Sequence, residues 1–184
     1  ARITSGEILY NGENLLLKNN KQMQKIRGGK IALIPQDPMT SLNPLYTVGD
    51  QPLEVIKIHQ NLQGHQAEEK AIEAFEAVQI PDTKSRLKNY PHEFSGGMKQ
   101  RAIIAMALAC KAEILIADEP TTALDVTIQA QIMKLLNEIK INNETSILLI
   151  THDLALVSEN ADEIAVMYSG RIVENAPNSE FFNN

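Results

Sequence analysis

Two adjacent carboxylates, Asp118 and Glu119, follow directly on the apolar run Ile114-Leu115-Ile116-Ala117. A buried strand that delivers acids at its carboxyl end is how open α/β sheets present reacting groups. In that setting Asp118 would hold Mg²⁺, directly or through water, while Glu119 would orient and deprotonate an attacking water; phosphoryl transfer needs both. Asp118-Glu119-Pro120-Thr121 also reads as a plain acidic turn after a strand. His152 follows a second apolar run, Ser146 to Ile150, and Gln36 a third, Ile31 to Ile34. At the edge that holds Glu119, a histidine can donate to a γ-phosphate and hold the water against the base. A neutral amide there can coordinate metal and water. Each also has an ordinary role, His152 as a surface residue beside Asp153 and Gln36 as a solvated polar side chain.

Ser95-Gly96-Gly97-Met98 opens a second kind of site, ahead of the run Gln100 to Cys110. Serine is a good helix N-cap and glycine a permissive entry. The same hydroxyl and glycine amides, at the positive end of a helix, can also bind a γ-phosphate, and small residues let the backbone approach closely. Asp125 caps the helix that begins at Val126. The lysine-bearing phosphate loop G-x-x-x-x-G-K-[ST] is found nowhere among the nine glycines. Gly29-Lys30 is the one Gly-Lys pair, but Ile31 follows it and Gln24 stands where the leading glycine belongs.

Several elements must position these groups. Glu7-Ile8-Leu9-Tyr10 before Asn11-Gly12 predicts a strand entering a tight hairpin, with Ile3 as its possible start. Ile31 to Ile34 suits a strand covered on both faces, ended by Pro35. From about Val48 to Ala109 the pattern turns helical: Ala67, Ala71, Phe75 and Val78, with Ile72 beside them, form one stripe that stops before Pro81. A βαβ unit follows: strand 114–117, a helix with Ile128, Ile132, Leu135, Leu136 and Ile139 on one face, and strand 146–150. Glu163 to Tyr168 and Ile172 to Ala176, across Ser169-Gly170-Arg171, predict a closing hairpin.

At 184 residues and 43% hydrophobic content the chain can bury a sizeable core. Its net charge of -6 opposes a broad basic surface for nucleic acid. The longest apolar run, Ala102 to Cys110, falls far short of the roughly 20 residues a bilayer crossing needs, so a membrane connection would go through a partner. The single cysteine, Cys110, lies in that run and reads as a buried thiol of a reducing compartment.

Taken in order and spacing, these stretches resemble the ATP-binding subunit of an ATP-binding-cassette (ABC) transporter. Gln36 matches the Q-loop, Phe94 to Met98 the signature loop, Ile114 to Glu119 the Walker B strand, Ala123 to Asp125 the D-loop and His152 the switch histidine. Narrower wording, at 35–44, 90–93 and 121–127, resembles the dipeptide, oligopeptide and nickel importer branch, which is bacterial or archaeal. Phe94 and Met98 depart from the commonest signature wording, Leu and Gln, as this branch allows. The resemblance implies an α/β, P-loop NTPase-like nucleotide-binding domain: a mostly parallel sheet with helices, an amino-terminal antiparallel piece and an inserted helical subdomain. Residues 1–46 and 113–184 would belong to the ATPase core and 47–112 to the helical subdomain. The missing Walker A loop is expected upstream of Ala1, both ends read as cuts, and these residues alone should bind ATP weakly and hydrolyse none.

The resemblance also implies an ATP sandwich. Ser95, Gly96, Gly97, Met98 and Asp125 of one subunit would contact ATP held by a second cassette, identical or paralogous. Glu119, His152 and Gln36 would carry catalysis, and Asp118 and Gln36 the Mg²⁺. Integral permease subunits would dock after Gln36 and on the helical lobe, with an extracytoplasmic solute-binding protein an indirect partner, no nucleic acid, and a location at the cytoplasmic membrane face. The alternatives are a soluble ABC-type ATPase acting on DNA or ribosomes, which usually adds coiled coils or a second cassette, and a cassette that only lends its signature loop.

Overall fold

The computed structural model describes residues 3–121 and 124–182. Thr122 and Ala123, and with them the start of the 123–125 D-loop segment, lie outside the described residues. The amino-terminal hairpin is short. Leu9–Tyr10 (β1) pairs antiparallel with Glu13–Asn14 (β2) across Asn11-Gly12, whose φ values of 49° and 78° match the tight turn read from sequence. Of the predicted run 7–10 only Leu9 and Tyr10 pair as a strand; Glu7 and Ile8 lie outside it, as does everything back to Ile3, with Gly6 at φ 95° between.

An unanticipated helix comes next. Asn20–Ile26 (α1) opens on a reciprocal capping box between Asn19 and Gln22. After Ile31–Ile34 (β3) and the short Pro38–Ser41 (α2) come Asp50–Gln60 (α3), Gly64–Ala77 (α4), Thr83–Arg86 (α5) and Gly96–Ala109 (α6). Ala67, Ala71, Ala74 and Phe75 are the buried stripe of α4, which packs on α3 and α6. Helix α6 is buried nearly all round: it starts among the other helices and also reaches β3.

Ile114–Asp118 (β4), Val126–Asn143 (α7) and Ser146–Ile150 (β5) form the βαβ unit. The three inner strands lie parallel in the order β3-β4-β5, with Ile34 opposite Ala117 and Asp118 opposite Ile150. Ala32, Ile34, Leu115 and Ala117 join Ile132, Leu135, Leu136 and Ile139 of α7 in one buried cluster that continues through α3, α4 and α6. Each fully buried side chain there, Ile34, Phe75 and Ile104 among them, contributes roughly 1.5–3 kcal/mol. On the sheet's other face Leu33 and Leu148 stay exposed. Leu154–Asn160 (α8), the antiparallel pair Glu163–Tyr168 (β6) and Arg171–Pro177 (β7), and Asn178–Phe181 (α9) complete the chain. The sequence places the βαβ unit, the closing hairpin and the helical stretch within a few residues of these bounds.

Candidate functional site

Parallel pairing brings the ends of β3, β4 and β5 to one edge, and each strand delivers one polar residue there. Gln36 lies two residues past Ile34, Glu119 one past Asp118 and His152 two past Ile150. Glu119 is the hub. Its Oε2 accepts from Gln36 Nε2 at 2.8 Å, and its Oε1 stands 3.2 Å from His152 Nδ1. An ionised carboxylate only accepts, so Nδ1 carries the proton in that contact and Nε2 remains for another partner.

The backbone under the hub is left-handed, as it is at seven other non-glycine residues among the described ones. Glu119 has φ 44°, a left-handed conformation that costs a non-glycine residue on the order of 1–3 kcal/mol. Its N–H is nonetheless paired, donating to Ile150 O at 2.9 Å and extending the ladder one step past the strand. The strained residue thus turns its carboxylate toward the two neighbouring strand ends.

Asp118, half-buried at the last position of β4, makes no side-chain hydrogen bond among the described residues. With the Gln36 carbonyl it offers hard oxygen donors from adjacent strand ends. No group of three or more His, Cys, Asp or Glu suited to a metal occurs among the described residues. That donor set fits Mg²⁺, which takes one or two protein oxygens and completes its shell with water and phosphate.

A second group gathers at the N-termini of α6 and α7. Ser95 Oγ accepts from Met98 N at 3.3 Å, and Asp125 Oδ1 accepts from Ile128 N at 3.0 Å, so both act as N-caps. The two glycines differ. A side chain at Gly96 would meet nothing within 4 Å, whereas one at Gly97 would come within 3.1 Å of Ile128 Cγ2. Packing therefore explains glycine at 97, whereas the space beside Gly96 is open among the described residues. The Met98 side chain packs against the core, which leaves its amide in the Ser95 cap as its contribution to the turn.

The sequence did not flag Gln129, which links the two groups. Its amide nitrogen donates to Asp153 Oδ2 at 3.3 Å, next to His152, from the turn of α7 that also holds Ile128. Only the capping signal of Asp153 pointed toward that spot, and it is borne by hydrogen bonds to Ala155 N and Leu156 N. Gly29-Lys30 has a structural use instead. Lys30 pairs with Glu113, and a side chain at Gly28 or Gly29 would strike the His59 ring, at 2.6 and 3.1 Å.

With the site in view, comparison with known proteins assigns a family. Residues 1–122 match the family model described as "ABC transporter". The chain therefore belongs to the ABC transporter family, and its fold is that of the family's nucleotide-binding cassette. It is 53% identical over 182 residues to the probable peptide ABC transporter ATP-binding protein y4tR of Sinorhizobium fredii, covering 99% of this chain and 54% of that protein. Dipeptide transport ATP-binding protein DppD of Bacillus subtilis is 50% identical over 182 residues, with the same coverage of each. The chain spans about half the length of these relatives. Among solved structures it resembles the ATP-binding cassette MJ0796, in a dimeric post-hydrolysis state bound to ADP and Pi, with TM-score 0.84 and 25% identity over 95% of this chain and 74% of that one. Another is cbiO1 from Clostridium perfringens, part of the ABC transporter complex cbiONQ, with TM-score 0.82 and 28% identity over 97% and 68%.

Proposed function

We propose that this chain carries the hydrolytic edge of an ATPase subunit that powers peptide import through an ABC transporter. The observation that supports it most is the meeting of Gln36, Glu119 and His152 at one edge, from three separate strands. In this reading Glu119 accepts the proton of the attacking water, His152 turns its one N–H from Glu119 to the γ-phosphate when nucleotide is bound and so holds the water against the base, and Gln36 senses whether the site is filled. Asp118 and Gln36 would hold Mg²⁺, which would supply charge neutralisation at the nucleotide phosphates. Ser95 and the amides of Gly96 and Gly97 reach out to nucleotide held by a second cassette. The open space at Gly96 agrees with that role.

Coupling to permease subunits would run through the helices of residues 47–112. Their two connections are clipped side by side: Val48 N donates to Asn89 O at 2.8 Å and Gly49 N to Leu87 O at 2.9 Å. That is the place for a hinge between Gln36 and the 90–93 stretch. Leu45 and Tyr46, strongly exposed just before the clip, are the docking candidates. Peptide cargo draws on the names of the relatives above, and oligopeptide or nickel on the branch resemblance of residues 35–44, 90–93 and 121–127. The working location is peripheral, at the cytoplasmic membrane face; no described helix is long and apolar enough to cross a membrane.

Glu119→Gln in the full-length protein tests this reading. ATP binding should persist while turnover falls by about 10²–10⁴-fold, the contribution of a positioned base. An unchanged steady-state ATPase rate would remove Glu119 from that role.

A further inference from the structure

Arg101 is buried, at 8% exposure, yet no carboxylate pairs with it among the described residues. Burial alone lowers its pKa. A buried guanidinium held only by neutral acceptors is a costly way to fill space, so the geometry it imposes is what needs explaining. Its Nη1 donates to Val78 O at 2.6 Å, the carbonyl at the C-cap of α4. Its Nη2 donates to Gln131 Oε1 at 2.7 Å, on α7. One planar fork on α6 therefore joins three helices.

A second contact lies one turn away. Gly97, four residues before Arg101 on α6, rests against Ile128, three residues before Gln131 on α7. Two contacts one turn apart on both helices fix their spacing and their angle together, as a single contact cannot. The capped starts of these helices, at Ser95 and Asp125, are the loops the nucleotide-sandwich reading turns toward a partner.

We propose that Arg101 is a positioning residue that locks the signature turn and the start of α7 into one rigid edge, so that both meet the partner's nucleotide in register. This rests on the sandwich reading of Ser95 to Gly97. Arg101 touches no nucleotide itself. Its guanidinium reaches acceptors on two other helices at once, which a lysine ammonium, a point donor, cannot reproduce.

The test uses full-length protein carrying Glu119→Gln, with ATP-driven dimerisation and monomer ATP binding measured separately. Arg101→Lys should weaken the ATP-dependent dimer about tenfold, the effect of one lost charge-assisted hydrogen bond, with nucleotide binding by the monomer unchanged. In the protein with Glu119 intact, kcat should drop while KM for ATP holds. Gln131→Leu should reproduce the loss and Gln131→Glu should preserve the dimer. Amide exchange in Arg101→Lys should rise together at 96–99 and 126–129. Gly97→Ala should weaken the dimer as well, and Ile128→Ala in the same chain should restore it, since that removes the methyl in the way. An Arg101→Lys protein that dimerises like its parent, or exchange rising at one loop alone, would overturn the lock and leave the sandwich standing. A parent that fails to dimerise with ATP would overturn both.

Discussion

Strands β3 and β4 are each bounded at both ends by polar residues, and the two ends handle them in opposite ways. At the amino edge Lys30 precedes β3 and Glu113 precedes β4; Glu113 accepts from both the Lys30 ammonium and the Tyr10 hydroxyl. These partners hold its carboxyl below the usual value of 4.5. At the carboxyl edge the matching positions are Gln36 and Glu119. There the carboxylate receives a neutral amide and an imidazole in place of a lysine, and its backbone is bent to φ 44°. The same residue type therefore stands at both ends of β4, once neutralised by a cation and once held ready by weaker partners on a strained turn. Stability explains the first arrangement. The second agrees with the role proposed for Glu119.

His152→Ala is the largest test of this contrast after removal of the base. It deletes the imidazole aimed at the Glu119 carboxylate while leaving the ladder hydrogen bond from Glu119 N intact. Turnover in the full-length protein should fall about a hundredfold, as for a lost preorganised donor, with KM for ATP little changed. A full-rate His152→Ala protein would break the comparison, because the carboxyl edge would then hold an ordinary polar cluster. Strain gives the next test. Glu119→Gly and Glu119→Ala both remove the carboxylate, but only glycine tolerates the left-handed turn without cost. The Gly variant should be the more stable of the two by about 1 kcal/mol in chemical denaturation. Equal stabilities would mean that no strain is stored at the hub.

Much of this edge was legible in the sequence because short apolar runs followed within two residues by polar ones mark where parallel strands end. Gln36, Glu119 and His152 were each read that way, and pairing in register does the rest. Asp125, Ser95 and Asp153 were legible as caps, a local signal carried by one side chain and an amide two or three residues on. What could not be read was lateral. Nothing in the local pattern says that Gly97 must be small for the sake of Ile128, or that Arg101 joins Val78 to Gln131, because those pairs are separated by 23 to 31 residues and depend on helix packing. Helix α1 was missed for a different reason: its capping box at Asn19 and Gln22 was present, but the following helix carries too few apolar residues to show a stripe. The predicted strand 7–10 is only half formed, at Leu9 and Tyr10, where its hairpin partner Glu13–Asn14 is itself two residues long.

The smallest expected effect lies at the amino edge. Because Lys30 and Tyr10 stabilise the ionised form of Glu113, its folded pKa is depressed, and its contribution to stability is present above 4.5 and lost as pH falls through the lower folded value. Glu113→Gln retains an acceptor for both partners and cannot titrate. Its denaturation midpoint should therefore change less with pH than that of the parent as pH is lowered from about 6 to about 3. The side chain is about half exposed, so added salt should shrink the difference. ATPase turnover in the full-length variant should match the parent, since this carboxylate faces the opposite end of β4 from Glu119. Loss of turnover in Glu113→Gln would erase the distinction between the two ends, because a carboxylate paired with Lys30 at the far end of β4 would then matter to the chemistry as much as Glu119.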